Sequence, residues 1–354
     1  MLYYYSSSLW FTAMIPLAVL YSVTCNGLWR PPTKMPLTTS IPAKGLAIVT
    51  GANTGIGFEA ARALAREYQV ILACRSLEKG QAAVQAIVHE FPQARVRAMP
   101  LDLTKRESIR SFAQSFNQDS IAILINNAGR NTDPPSEHNN ILFQTNFVGH
   151  FDLTQQLMPA FQANARLVQV SSVMHHFAPY EEQWTDPQFW KQVAGASPMR
   201  DRYSLSKLAA ILFSVQLNRL YGHHLRSIAL NPGAVNSEIW RDFPIWIRKL
   251  FAYIYLTPRQ AAQTLVAAAV GEFTQQDKLY LQPYQQPWSG VPFPAWEMLG
   301  PFVGHVVTPP RLRHDYREAA EALWTAMEEL LRGEEQKEVV EDDSSSSIDA
   351  GSEL

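Results

Sequence analysis

Tyr203 and Lys207 stand four residues apart in the run Tyr-Ser-Leu-Ser-Lys, a spacing that places both on one face of a helix. A free phenol titrates near pH ~10, too high for a base at neutral pH, and a nearby ammonium favours the phenolate. Ser171 and Ser172 precede the pair, and a serine hydroxyl opposite the tyrosine can hold a substrate oxygen. These groups are equipped to move a proton to or from an alcohol oxygen while a nicotinamide gives or takes hydride. Asn146, earlier in the chain, can reach a buried carbonyl or a water.

A second set of residues suits a dinucleotide. Thr50-Gly51-Ala52-Asn53-Thr54-Gly55-Ile56-Gly57 spaces its glycines as G-x-x-x-G-x-G, where the backbone can approach a pyrophosphate at a helix end. Glycines alone could mark a plain tight turn; their place between a strand and a helix is what points to phosphate. After the second strand the chain reads Cys74-Arg75-Ser76, with no carboxylate for a ribose diol. The Arg75 guanidinium fork suits a 2′-phosphate instead, which favours NADP(H) over NAD(H). Asp102-Leu103 and Asn126-Asn127-Ala128-Gly129 end two further strands, where they can bond adenine or brace their neighbours.

The elements that must position these residues follow from apolar periodicity. Strands are predicted at 46–50, 69–74, 95–101, 121–126, 166–171 and 225–231, with helices at 56–67, 78–90, 105–116, 139–164 and 201–221. Near-continuous apolar strands alternating with helices imply an α/β fold, a doubly wound parallel sheet of Rossmann-like form in a single domain. Ligands are then expected at the carboxyl ends of the strands. Residues 44–332 form the domain on this reading.

The ends differ from the middle. Residues 1–29 carry no charged side chain, and 1–43 reads as a hydrophobic segment followed by a Pro-rich linker. Residues 2–28 can supply a membrane anchor, despite Pro16, with Arg30 and Lys34 favouring a cytosolic domain. A cleaved targeting peptide fits less well, because no cation precedes the apolar run. Residues 333–354 hold eight acidic residues and one lysine and read as a disordered acidic tail. Across 354 residues the net charge of −2 excludes a protein held to nucleic acid by phosphate contacts. Two cysteines make neither a disulfide framework nor a metal site. His175 and His176 lack partner ligands at useful spacing, so no metal is expected. Residues 239–256, rich in Trp, Phe and Tyr, read as a packed helix or as a lid over an apolar substrate.

With these motifs in hand, the chain resembles the short-chain dehydrogenase/reductase family over about 44–331. Within it, Ala73-Cys74-Arg75-Ser76, Val173-Met174-His175-His176 and Leu323-Trp324 look most like the retinol dehydrogenase branch. The resemblance implies NADP(H), an apolar alcohol or carbonyl of retinoid, steroid or other lipid type, and membrane association. It implies a catalytic set of Asn146, Ser172, Tyr203 and Lys207, with Ser172 chosen as the second of the serine pair. Tyr203 would be the acid/base, Lys207 would hold the nicotinamide ribose and lower the tyrosine pKa, and Asn146 would support a relay water. Cofactor contacts are implied at Gly51, Asn53, Thr54, Gly55, Ile56, Gly57, Arg75, Asp102, Leu103, Asn127, Ala128, Gly129, Tyr203, Lys207, Pro232, Gly233 and Ser237. A threonine is more usual at the last position. The long separation of Ser172 from Tyr203 implies an inserted loop over 181–200; family members often pair through two long helices, so a homodimer and, for an anchored member, a monomer are both open. Reduction of a carbon–carbon double bond and a silent nucleotide-binding scaffold are the rival functions.

Overall fold

The computed structural model describes residues 45–116, 121–133, 140–195, 199, 201–235, 245, 256–271, 280–282, 305–307 and 316–349. The apolar runs form the strands β1 (Leu46–Thr50), β2 (Gln69–Cys74), β3 (Val96–Pro100), β4 (Ile121–Asn126), β5 (Phe161–Val170) and β6 (Leu225–Leu230). Two short strands, β7 (Tyr280–Gln282) and β8 (His305–Val307), extend the sheet beyond the six expected. The order is β3-β2-β1-β4-β5-β6-β7-β8, parallel throughout except that β8 runs antiparallel on β7. The order reverses between β1 and β4, the switch point where such sheets open a crevice at their carboxyl ends.

Helices cover both faces. On one lie α1 (Gly55–Leu64), α2 (Leu77–Glu90) and α7 (Pro258–Val270), packed through small residues such as Ala60, Ala61, Ala262 and Ala269. On the other lie α3 (Arg106–Gln114), α4 (Gly149–Leu157), α5 (Pro187–Ala194), α6 (Arg202–Tyr221) and α8 (Tyr316–Asp349). Phe147, Phe151, Phe213 and Trp324 meet there, with ring centroids 5.1 Å apart for Phe151–Trp324 and 5.2 Å for Phe151–Phe213. Such pairs add roughly 0.5–1.5 kcal/mol each beyond the area they bury.

Three expectations change. The helix expected over 139–164 is broken into a turn at Ile141–Phe143, a π-helical turn at Gln144–Val148, α4, and a 3-10 turn at Met158–Ala160. Pro159 lies in that last turn, after which the chain extends at Phe161 as β5, ahead of the predicted strand start at Arg166. The inserted stretch after Glu181 is helical at α5: Asp186 caps it, Pro187 starts it, and Phe189, Trp190 and Val193 are buried. Lastly, α8 continues beyond Arg332 through Asp349, where a disordered tail is expected. Glu and Lys are good helix formers, and Arg106 grips the continuation by donating to the Leu331 carbonyl at 2.7 Å and to Glu335 at 2.8 Å. The N-terminal segment 1–43, most of 239–256, and 283–301 lie outside the described residues. Among the described residues no helix is long and apolar enough to cross a membrane.

Candidate active site

Loops leave the carboxyl ends of β1 to β6, and every described residue expected to bind or react lies on them or on the helices that follow. After β1, Gly51 and Gly55 take positive φ of 65° and 62°. A Cβ on Gly57 would stand 2.4 Å from Asn127 Nδ2 and 2.7 Å from the Gly51 carbonyl, so only glycine lets α1 approach this closely. The N-terminus of α1 has no side-chain cap and no acidic residue in its first turn, leaving its N–H groups for an anion. The turn is stitched to β2 by the Gly51 N–H, which donates to the Ala73 carbonyl at 2.8 Å. The buried Cys74 thiol accepts backbone N–H bonds from Ala52 and Asn53, and burial pushes its pKa up to about 11. Arg75 then emerges exposed at the end of β2.

After β3, Asp102 Oδ1 accepts from the Thr104 N–H at 3.0 Å and from its hydroxyl at 2.7 Å; Leu103 beside it is buried. After β4, the Asn127 side chain donates to the Thr50 carbonyl at 2.8 Å, and the Asn127 and Ala128 N–H groups both donate to Thr50 Oγ1 at 2.9 Å. Asn127 thus braces the turn from behind. Gly129 sits between Asn146 Oδ1 and Lys207 Nζ. Asn146 lies in the π-helical turn and fixes the Arg130 backbone on both sides, accepting from its N–H at 2.8 Å and donating to its carbonyl at 2.9 Å. Turns of this kind are rare and often mark functional sites. Its Nδ2 also donates to Ser206 Oγ at 3.1 Å, and Ser206 donates to the Tyr203 carbonyl at 2.7 Å. Behind Asn146, burial holds His150 neutral, its pKa pushed down to about 4.

The serine pair after β5 divides its labour. Ser171 Oγ is buried and donates to the Lys207 carbonyl at 2.6 Å, whereas the Ser172 hydroxyl accepts from the Met174 N–H at 3.3 Å and lies on the Tyr203 side, where it favours the phenolate. Lys207 Nζ donates to the Val170 carbonyl at 3.0 Å and lies 5.5 Å from the centre of the Tyr203 ring. Asn146, Ser172, Tyr203 and Lys207 therefore lie in one cluster at this end of the sheet. The electrostatics differ from expectation: Tyr203 is pushed up to about 12, not down, because burial outweighs the lowering effect of Ser172. Lys207 is itself pushed down to about 8 by burial.

After β6, Pro232 is buried and Gly233 takes φ 87°, its N–H donating to the Asn231 side chain at 3.0 Å. Ser237 lies outside the described residues. His175 and His176 stack at 3.9 Å in a 3-10 turn after Ser172, and His175 Nδ1 sits 2.7 Å from the Ser172 carbonyl. Among the described residues no three metal-ligating side chains converge. Spacing along the sequence does not reveal Thr50, Ser171, His150 or Ser206, whose roles depend on bonds between residues far apart in the chain.

A doubly wound sheet with a glycine cradle and a Ser-Tyr-Lys cluster at the carboxyl ends of its strands defines a nucleotide-dependent oxidoreductase. The chain belongs to the short-chain dehydrogenase/reductase family and to its retinol dehydrogenase-like branch. A family model described as short chain dehydrogenase matches residues 45–183. Retinol dehydrogenase 11 of Homo sapiens is 37% identical over 247 residues, covering 66% of this chain and 75% of that protein. Retinol dehydrogenase 12 of Homo sapiens is 37% identical over 246 residues, with the same shares covered. A solved structure of an uncharacterized protein from Mycobacterium paratuberculosis superposes with TM-score 0.62 at 27% identity, covering 86% of this chain and 98% of that one. The protein is thus an oxidoreductase of the alcohol/carbonyl kind, using a nicotinamide nucleotide and a small-molecule substrate.

Proposed function

We propose that the protein interconverts an apolar alcohol and its carbonyl with NADP(H), with Tyr203 as the proton-transfer group. The observation that carries this reading is the convergence of Tyr203 with the buried Lys207, whose Nζ lies 5.5 Å from the centre of the tyrosine ring and bonds the end of β5, just before Ser172. A reduced nicotinamide held by the cradle would supply the hydride that the carbonyl carbon takes up in the reducing direction, its ring becoming the oxidised pyridinium. Ser172 holds the carbonyl oxygen, and Tyr203 gives it the phenolic proton as the C–O π bond becomes a C–O⁻ charge. Burial keeps Tyr203 protonated at neutral pH, which suits a proton donor. The phenolate left behind is stabilised by the Lys207 ammonium and recovers its proton from solvent. In the oxidising direction the same groups run in reverse.

The cradle fits the nucleotide: the Gly51 and Gly57 positions admit close backbone approach, and α1 presents uncapped N–H groups. Arg75, exposed and with no carboxylate in its own turn, supports the 2′-phosphate and hence NADP(H). Asp102, whose Oδ1 is taken up by Thr104, would offer Oδ2 to the adenine side. The charge-free segment 1–29 supports a membrane-associated enzyme taking retinoid, steroid or other lipid substrates.

The test is NADPH consumption by the detergent-solubilised full-length protein with retinal, steroid ketones and long-chain aldehydes, repeated with NADH. Turnover with NADPH that falls about 10²–10⁴-fold in Tyr203→Phe is the expected result. NADPH binding without consumption across the panel would sink the carbonyl reading, and product analysis on an enone would expose double-bond reduction.

A further inference from the structure

The catalytic scheme leaves a buried histidine unused. His150, in the first turn of α4, is 2% exposed. Its Nδ1 lies 3.2 Å from the Asn146 carbonyl oxygen and its Nε2 lies 2.9 Å from Thr50 Oγ1. A carbonyl oxygen only accepts, so Nδ1 carries the proton and Nε2 accepts from the threonine hydroxyl. That hydroxyl also lies 3.3 Å from the Ile125 carbonyl, a longer contact than the one to the ring. Thr50 Oγ1 meanwhile accepts the N–H groups of Asn127 and Ala128. One ring therefore joins the loop behind the nucleotide cradle to the backbone of Asn146. The joint spans 100 residues of sequence. It meets the chain at the π-helical turn Gln144–Val148, a local geometry less favourable than the α-helix it interrupts.

We propose that His150, as the neutral Nδ1–H tautomer, is a positioning residue that holds the Asn146 turn in register with the Asn127–Ala128 loop. Its role rests on the reaction proposed above, since it acts through Asn146 on the Tyr203–Lys207 cluster. From Asn146 the path runs through Ser206 to the Tyr203 backbone, and Asn146 Oδ1 faces the same point of Gly129 as Lys207 Nζ.

The two bonds can be separated. His150→Asn keeps an amide donor near the Nδ1 position and gives up the Thr50 acceptor; His150→Gln keeps an oxygen near Nε2 and gives up the donor to Asn146. The Asn variant should retain kcat within about threefold while NADPH Kd rises about tenfold. The Gln variant should retain NADPH affinity and lose kcat about ten- to hundredfold, with substrate KM within about twofold. Long-range ¹⁵N–¹H spectra of histidine-labelled wild type should show an Nδ1–H ring that disappears in both variants. Equal losses of kcat and affinity in the two variants, tracking their melting temperatures, would reduce His150 to core packing. An Nε2–H tautomer would overturn the proposal even if neither variant folds. If wild type binds NADPH but reduces no carbonyl, the proposed reaction fails first, while the tautomer and the split in NADPH affinity still decide the place of His150.

Discussion

Lys207 is the residue on which function and stability oppose each other. Its ammonium is buried, it donates to the Val170 carbonyl, and burial lowers its pKa from 10.5 to about 8. Below pH 8 it is charged in folded and unfolded chains alike, and the full cost of burial is present. Between about pH 8 and 10.5 the unfolded chain holds the extra proton, so stability rises with pH through that window. The range of that rise is roughly 3 kcal/mol as an upper bound. Lys207→Met removes the titration and leaves Cys74 to titrate as before, while folded Tyr203, pushed up to about 12, stays protonated across the window in both proteins. The stability of the nucleotide-free wild type relative to this variant should therefore climb from pH 8 to 10.5, measured by urea unfolding at each pH; a flat difference would refute the buried charge. The variant should have no measurable turnover. Arg75 makes a simpler residue-scale claim. Exposed at the end of β2, it can be removed without disturbing the core. Arg75→Ala should raise NADPH Kd about tenfold and leave NADH Kd nearly unchanged in fluorescence titrations, as expected for losing one charge-assisted phosphate contact.

At the scale of elements, the site exists because α1 can press against the loop after β4. Gly57→Ala would drive a methyl into the Asn127 amide and the Gly51 carbonyl, one flexible neighbour and one fixed. The variant should lose about 1–3 kcal/mol of stability and bind NADPH at least tenfold more weakly, read from thermal melts and titration. A variant with wild-type affinity would mean that the helix can retreat without harm. Six strands are legible in the sequence because β1, β2 and β4 are buried on both faces and so spell unbroken apolar runs. The strands β7 and β8 are not, since three residues each make no readable pattern. The end of α4 is hard to place because apolar residues continue past Pro159 into β5, and the period alone does not mark the change. Charge density in 333–349 suggests disorder, whereas the clamp from Arg106 that favours helix comes from a residue 229 positions away from Glu335. The candidate proton-transfer residues can be picked out by their spacing. Their supports cannot, because Thr50, His150 and Ser171 act through contacts that no local pattern records.

At the scale of the whole molecule, α8 determines which surfaces stay open. The helix α6 has every residue from Ser204 to Leu217 buried, which is why its sequence shows no polar stripe. The sheet covers one side of it, and α8 covers the other through Trp324, whose ring lies 5.8 Å from Phe213 and 6.3 Å from Tyr221. Arg219–Glu321 at 3.1 Å and a Lys191–Glu329 pair fasten the same helix to α6 and α5. A pairing of two long helices would have to bring α6 into the contact, and the chain's own last helix already covers the side of α6 turned away from the sheet. The protein should therefore not dimerise through α4 and α6. Sedimentation of the detergent-solubilised full-length protein checks the mass, and a cysteine placed at Leu220 checks the geometry, since that exposed position sits at the end of α6. Disulfide crosslinking between two copies at Leu220→Cys, in high yield at micromolar protein, would show that α8 gives way. Trp324→Ala is the complementary case. It removes the ring joining Phe151, Phe213 and Tyr221, should cost about 3–5 kcal/mol, and should free the α6 face. Self-association that appears only in this variant would identify α8 as the element that keeps the surface closed.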